Sequence, residues 1–225
     1  MPNVLKFLIP DFGTKFIQFQ VDELVRKLLS EDNAPENPLG LLVILSGPSG
    51  VGKDSVYNQM KSSGKPYFFA VTATTRSPRP NEEHEKDYIF LTPAEFDVMV
   101  DVGGFLEWAQ VYGNRYGVPK APIDDALVKG QTVIIKTDVQ GASTIKKLIS
   151  RAIFIFLAPA SMNELERRLR NRLTESKTDI SLRLKTAKAE MGHQAMFDYT
   201  VINHEGELKQ TVSEIELIIN KEREK

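Results

Sequence analysis

Residues Leu41-Leu42-Val43-Ile44-Leu45-Ser46 run directly into Gly47-Pro48-Ser49-Gly50-Val51-Gly52-Lys53, and this junction decides the fold. A continuous apolar run is what a strand buried on both faces of a parallel sheet requires. The seven residues after it fit G-x-x-x-x-G-K. Glycines let successive backbone N–H groups turn inward around an anion, and the helix that follows adds the positive end of its dipole. Lys53 is then placed to reach the β- and γ-phosphates of a nucleoside triphosphate. A flexible glycine turn at a helix start is the plainer alternative; the strand before and the helix after weigh against it. The position after the lysine ordinarily holds Ser or Thr, whose hydroxyl binds Mg²⁺. Here Asp54 stands there, followed by Ser55. A carboxylate is a good Mg²⁺ ligand, and it is equally suited to the start of a helix, where the dipole favours negative charge.

Outward from the loop, strand and helix patterns alternate. Strand candidates are residues 67–72, 132–135, 151–157 and 199–202. Helix candidates are 53–63, 93–100, 123–128, 142–148, 161–172, 180–191 and 208–221. This order predicts an α/β fold of three layers, a P-loop NTPase fold with a mostly parallel sheet covered on both faces. Residues 1–38 are set apart as an extension. Residues 15–21 partly alternate, Val21, Leu24, Val25, Leu28 and Leu29 fall on one helical stripe, and 32–38 form a polar, proline-bearing linker. The stripe is expected to pack on the same chain. Asp11-Phe12-Gly13 lacks the other protein-kinase motifs and reads as a turn.

Composition narrows the function. The chain has 225 residues and a formal net charge of −1, which gives no general attraction for nucleic acid. There is no cysteine, so thiolate chemistry, disulfides and cysteine-held zinc are excluded. His84, His193 and His204 are scattered, without ligand spacing. No apolar run approaches the length of a membrane span, and no signal-peptide pattern opens the chain. A cytoplasmic protein, monomer or homodimer, is expected.

Downstream of the loop come Thr72-Ala73-Thr74-Thr75-Arg76-Ser77-Pro78-Arg79-Pro80, Asp87-Tyr88, Phe105-Leu106-Glu107-Trp108-Ala109 and Gly113-Asn114-Arg115-Tyr116-Gly117. Asp138-Val139-Gln140-Gly141, an arginine-rich stretch at 166–172 and Val201-Ile202-Asn203 follow. Arg76 and Arg79 offer bidentate forks for phosphate, and Tyr88 and Tyr116 add hydroxyl donors. From residue 39 to the C-terminus this ordered set resembles the guanylate kinase family.

The resemblance implies the transfer of the γ-phosphoryl group of ATP to GMP, and more weakly dGMP, with Mg²⁺ as cofactor. It implies a GMP-binding lobe at about 72–125 and a lid at about 165–184 that close to exclude water. Arg76, Arg79, Tyr88 and Tyr116 would hold the GMP phosphate. Glu107 and Asp138 would accept hydrogens from guanine N1 and N2, with the Thr72 hydroxyl at O6. Lys53, Arg168, Arg172 and Arg183 would neutralise the moving phosphoryl group, and Asn203 would lie near the adenine. The ATP loop would comprise Gly47 through Ser55, with Asp54 as the Mg²⁺ residue. The chain departs from the pattern at Asp54, at Val118 (often Ser or Thr) and at Lys136 (often Asp). Two other readings stand beside this one: a kinase of another phosphorylated acceptor, which would not need both Glu107 and Asp138, and a binding module without activity, which would not need an intact loop.

Overall fold

The structure is a computed structural model, and it describes residues 40–111, 113–170 and 177–225, with side chains at 177–180 left aside. The expected extension, its strand at 15–21 and its stripe at 21–29, and the lid residue Arg172 lie outside the described residues.

Nine strands and seven α-helices alternate among these residues. They are β1 (Leu42–Ser46), α1 (Lys53–Ser62), β2 (Tyr67–Phe69), β3 (Ala73–Thr74), β4 (Ile89–Phe90), α2 (Pro93–Asp101), β5 (Phe105–Val111) and β6 (Asn114–Pro119). There follow α3 (Ala121–Val128), β7 (Thr132–Lys136), α4 (Val139–Leu148), β8 (Ile153–Ala158), α5 (Met162–Arg170), α6 (Lys177–Met191), β9 (Tyr199–Ile202) and α7 (Leu208–Arg223). The chain divides into two compact units. One is built mainly of Phe68–Val133, the other of Leu42–Tyr67, Ile134–Lys147 and Ala152–Lys225.

A five-stranded sheet has the order β2-β7-β1-β8-β9. β1 pairs with β8, and β8 with β9, in parallel. All five residues of β1 are buried, which is why this strand reads as an unbroken apolar run rather than an alternating one. β8 brings Phe154 and Phe156, both fully buried, against it. The sheet thus sets the C-terminal end of β1, and with it the phosphate loop.

A second sheet, of order β4-β3-β6-β5, belongs to the other unit. It is mostly antiparallel: β3 with β6 and β5 with β6, while β3 and β4 run parallel. None of β4, β5 and β6 stands among the strands expected from sequence. β4 has two residues, and β5 alternates buried positions, the charged Glu107 among them, with exposed ones such as Gln110, so neither presents an apolar run. Of residues 67–72, expected as one strand, only Tyr67–Phe69 form β2; the next strand, β3, begins at Ala73 and belongs to the other sheet. Ala73, Ile89, Leu91, Phe96, Met99 and Phe105 form this unit's core. The α2 helix is fixed at its start by a capping box: Thr92 Oγ1 accepts from the Glu95 N–H at 3.2 Å, Glu95 Oε2 accepts from the Thr92 N–H at 2.7 Å, and Pro93 follows. No helix among the described residues is long and apolar enough to cross a membrane.

Candidate active site

The loop between β1 and α1 has positive φ at Gly47, Gly50 and Gly52, a backbone that favours glycine. A Cβ on Gly47 would lie 2.2 Å from the Leu157 carbonyl oxygen of β8. Gly52 has a φ of 100° and a Cβ there would come within 2.6 Å of Asn203 Nδ2. Gly52 is the residue that precedes α1, so its left-handed turn aims the helix N-terminus at the loop. Gly52→Ala is expected to weaken ATP binding about tenfold, through backbone strain and the displaced Asn203. Titration with a fluorescent ATP analogue reads this directly, and unchanged affinity would show that the loop needs no glycine there.

Lys53 turns back into the loop. Its ammonium donates to the carbonyls of Gly47 at 2.5 Å and Pro48 at 3.0 Å. An ammonium has three donors, so the third is left to a bound anion. Burial lowers the Lys53 pKa from the ordinary lysine value, and the positive charge of Lys136 acts in the same direction. The negative charges of Glu190, Asp54 and Asp138 oppose this and favour the ammonium.

The Val51 carbonyl and the Ser49 amide are also held. The Val51 carbonyl accepts from Arg168 Nη1 at 2.9 Å and from Asn203 Nδ2 at 2.8 Å. Arg168 Nη2 donates to the Asn203 carbonyl at 2.7 Å and pairs with Glu164. Asn203 is buried and its Oδ1 accepts from Thr211 Oγ1 at 3.1 Å. In this structure, then, both Arg168 and Asn203 support the loop from beneath. The Ser49 N–H donates to Glu190 Oε2 at 2.9 Å, a contact that spans 141 residues of sequence. Ser55 is exposed on α1, and Arg183 is half-buried on α6. Of the remaining arginines in the rich stretch, Arg167 pairs with Glu205 and Arg170 with Glu166, as a solvated face would.

Asp54 lies in the first turn of α1, where its charge suits the helix dipole, but Gly52 and not Asp54 occupies the cap position. Its Oδ1 accepts from Lys136 Nζ at 2.5 Å. Lys136 ends β7, is largely buried, and lies 5.0 Å from the centre of the Tyr57 ring. Two of the three departures from the expected pattern, Asp54 and Lys136, are therefore one ion pair. Asp138, two residues on, uses Oδ1 to accept the Gly141 N–H at 2.8 Å at the start of α4.

The other unit places a second group of residues together. Thr74 Oγ1 donates to the Arg115 carbonyl at 3.0 Å, and Thr75 Oγ1 accepts the Arg115 N–H at 2.9 Å. These two threonines tie the strand end to β6 and so fix the chain just before Arg76. Arg76 stacks 4.8 Å from the centre of the Tyr88 ring and forms a fork with Glu82, at 2.6 and 2.7 Å. That fork pulls Glu82 below the ordinary carboxylate value and raises Arg76 above its own. Glu82 also accepts the Arg79 N–H at 2.8 Å. Arg76 Nη1 further donates to the Ser77 carbonyl. Three of the five guanidinium donors are thereby engaged, leaving two. The Arg79 side chain reaches solvent, and the rings of Tyr88 and Tyr116 meet edge to face at 6.2 Å.

Glu107 on β5 and Thr72 before β3 are buried polar residues of the same unit. One carboxylate oxygen of Glu107, Oε2, is buried without a hydrogen-bond donor among the described residues, although the residue as a whole is not isolated. Opposite Glu107, Val118 is fully buried and apolar. Glu82, Glu190, Thr74 and Thr75 were not foreseen as parts of the site. The threonines adjoin Arg76 in sequence and their hydroxyls were a usable signal; Glu190 had none, being far along the chain and one carboxylate of 30 acidic residues.

The guanylate kinase family profile matches residues 40–222. The chain is 42% identical over 179 residues to a guanylate kinase of Mycobacterium sp. (strain MCS), covering 79% of this chain and 89% of that one. It is 41% identical over 197 residues to "Guanylate kinase 2, chloroplastic/mitochondrial" of Oryza sativa subsp. japonica, covering 87% and 69%. Among solved structures, guanylate kinase from Anaplasma phagocytophilum superimposes with a TM-score of 0.71 at 32% identity, covering 84% of this chain and 89% of that one.

Proposed function

The chain belongs to the guanylate kinase family, and from that premise we propose that it transfers the γ-phosphoryl group of ATP to GMP, giving ADP and GDP, as a step of purine nucleotide metabolism. The observation that carries the reading is the loop with Lys53 turned into it, donating to Gly47 and Pro48 and holding one donor for a phosphate. A module that had given up catalysis would have no use for this arrangement.

The residues divide the work by charge. Gly47, Pro48, Ser49, Gly50, Val51 and Gly52 would cradle the ATP phosphates, and Lys53 would stabilise negative charge on the oxygens between donor and acceptor. Arg168 and Asn203 keep the loop in shape, and Arg183 and Arg172 would add positive charge. In the other unit, the two remaining Arg76 donors, Arg79, Tyr88 and Tyr116 would hold the GMP phosphate. Glu82 keeps the Arg76 fork pointed for that contact. No general base is required, because the attacking phosphate oxygen already carries charge.

Magnesium fits these residues in one limited way. Among the described residues no three His, Asp or Glu side chains converge as a metal cluster. Mg²⁺ is commonly held by one or two carboxylates plus substrate phosphates, and Asp54, half exposed in the first turn of α1, is a carboxylate that could serve. The ion would neutralise phosphate charge when bound.

Thr72, Glu107 and Asp138 are proposed to read guanine, whose N1–H and N2–H₂ suit two carboxylates. A coupled ADP-release assay tests this with GMP, dGMP, AMP, CMP and UMP. GMP is expected to be preferred, dGMP weaker and AMP poor, because a mismatched base leaves buried polar groups unpaired. Glu107→Gln is expected to lower kcat/KM for GMP by about 30-fold, with ATP binding unchanged. Equal turnover of AMP and GMP would refute the acceptor assignment.

A further inference from the structure

The contact between Glu190 and the Ser49 N–H is not part of the chemistry just described. It places a carboxylate at a loop whose purpose is to receive phosphate. Negative charge at that position opposes an incoming anion, so it needs a compensating role. The rest of the loop shows what that role is. Gly47 and Pro48 are held by Lys53, and Val51 is held by Arg168 and Asn203. Ser49 lies between these fixed points, and Glu190 holds it by its amide.

Glu190 also lies on α6, next to its last residue Met191. Arg183 is on the same helix, seven residues earlier. Seven residues are two helical turns, so both side chains leave the same face, about 10 Å apart along the axis. Whatever fixes Glu190 to the loop therefore fixes the face that carries Arg183. Of the negative charges acting on Lys53, that of Glu190 is the strongest, which offsets its repulsion of phosphate.

We propose that Glu190 is a positioning residue that fastens the middle of the phosphate loop to α6, so that the loop and Arg183 are presented to the nucleotide as one unit. The inference rests on the kinase reading above. It predicts that the carboxylate works through its acceptor oxygen and its reach.

Three variants and a double-mutant cycle test this, with ATP:GMP turnover measured by ADP release and folding followed by thermal unfolding. Glu190→Gln keeps an acceptor oxygen at the same reach and is expected to stay within about threefold of the parent kcat. Glu190→Ala and Glu190→Asp both lose the reach and are expected to lower kcat about 30-fold, with KM for GMP unmoved. In an Arg183→Ala background, removing Glu190 is expected to cost no more than about a further threefold, because the two act together. Parent-like kcat in the alanine and aspartate variants, additive losses in the cycle, or a glutamine variant as impaired as alanine would each overturn the proposal. Should the alanine variant fail to fold, the aspartate and glutamine pair decides. Absence of GMP turnover in the parent protein would instead overturn the kinase reading itself.

Discussion

Lys53→Met is expected to lower kcat by about 10³-fold while leaving the protein folded. Methionine retains much of the stem's apolar packing and removes only the ammonium. Three consequences then add. The Gly47 carbonyl loses the Lys53 donor and the Pro48 carbonyl keeps only the Val51 N–H; a buried carbonyl left unpaired is costly. The charge that would stabilise the moving phosphoryl group is gone from a site where surrounding protein, not water, sets the dielectric. The positive centre that balances the charges of Glu190, Asp54 and Asp138 is also lost. Lys53→Arg is not expected to rescue, because a planar guanidinium cannot enter the space of a compact ammonium held by two loop carbonyls. Single-turnover measurements at saturating ATP and GMP separate this loss from weakened binding. A loss below about tenfold would mean that Lys53 shapes the loop and contributes little to the transfer.

How much of this was legible in the sequence depends on how far apart the cooperating residues lie. The β1–loop–α1 junction is contiguous, and each residue's local requirement, apolar, glycine or cationic, is visible in one line of 13 residues. The parallel sheet and all seven α-helices were likewise expected, with ends shifted by a few residues. The four-stranded sheet was missed because its strands are short or polar, and its stability comes from partners. Ala73 pairs with Gly117 and Thr74 with Tyr116, residues more than 40 apart. Glu82 is six residues from Arg76 and still gave no signal, because nothing local separates a carboxylate that shapes an arginine fork from a solvated one. Asp54 and Lys136 were each conspicuous as departures, but their contact joins positions 82 residues apart. Only the packing of β7 beside β1 brings them together.

That contact makes the Asp54 and Lys136 substitutions a sharp test, with Asp54→Ser expected to reduce turnover about 30-fold at low Mg²⁺. The pattern of the family at these two positions, Ser with Asp, carries one negative charge; Asp with Lys carries none. In the present chain the ammonium of Lys136 is largely buried, and Asp54 Oδ1 is 2.5 Å from it. Removing Asp54 takes the carboxylate from that cation, which lies over the face of Tyr57 and acts on Lys53 through its charge. It should then repel both Lys53 and any metal carried by ATP. Lys136→Asp has the opposite sign. It puts a second carboxylate near Asp54, so nucleotide binding without metal should weaken, and dependence on Mg²⁺ should become steeper. The double change restores the single negative charge of the common pair and is expected to recover most of the loss. Two readouts are needed: turnover against Mg²⁺ concentration, and displacement of a fluorescent ADP analogue with and without Mg²⁺. Binding in the absence of metal isolates the charge effect from the chemistry. Because the two residues touch, the cycle should be non-additive by more than about 0.5 kcal/mol. Additive effects would show that the pair is a surface contact without consequence for the nucleotide, and that Asp54 acts only through the dipole of α1.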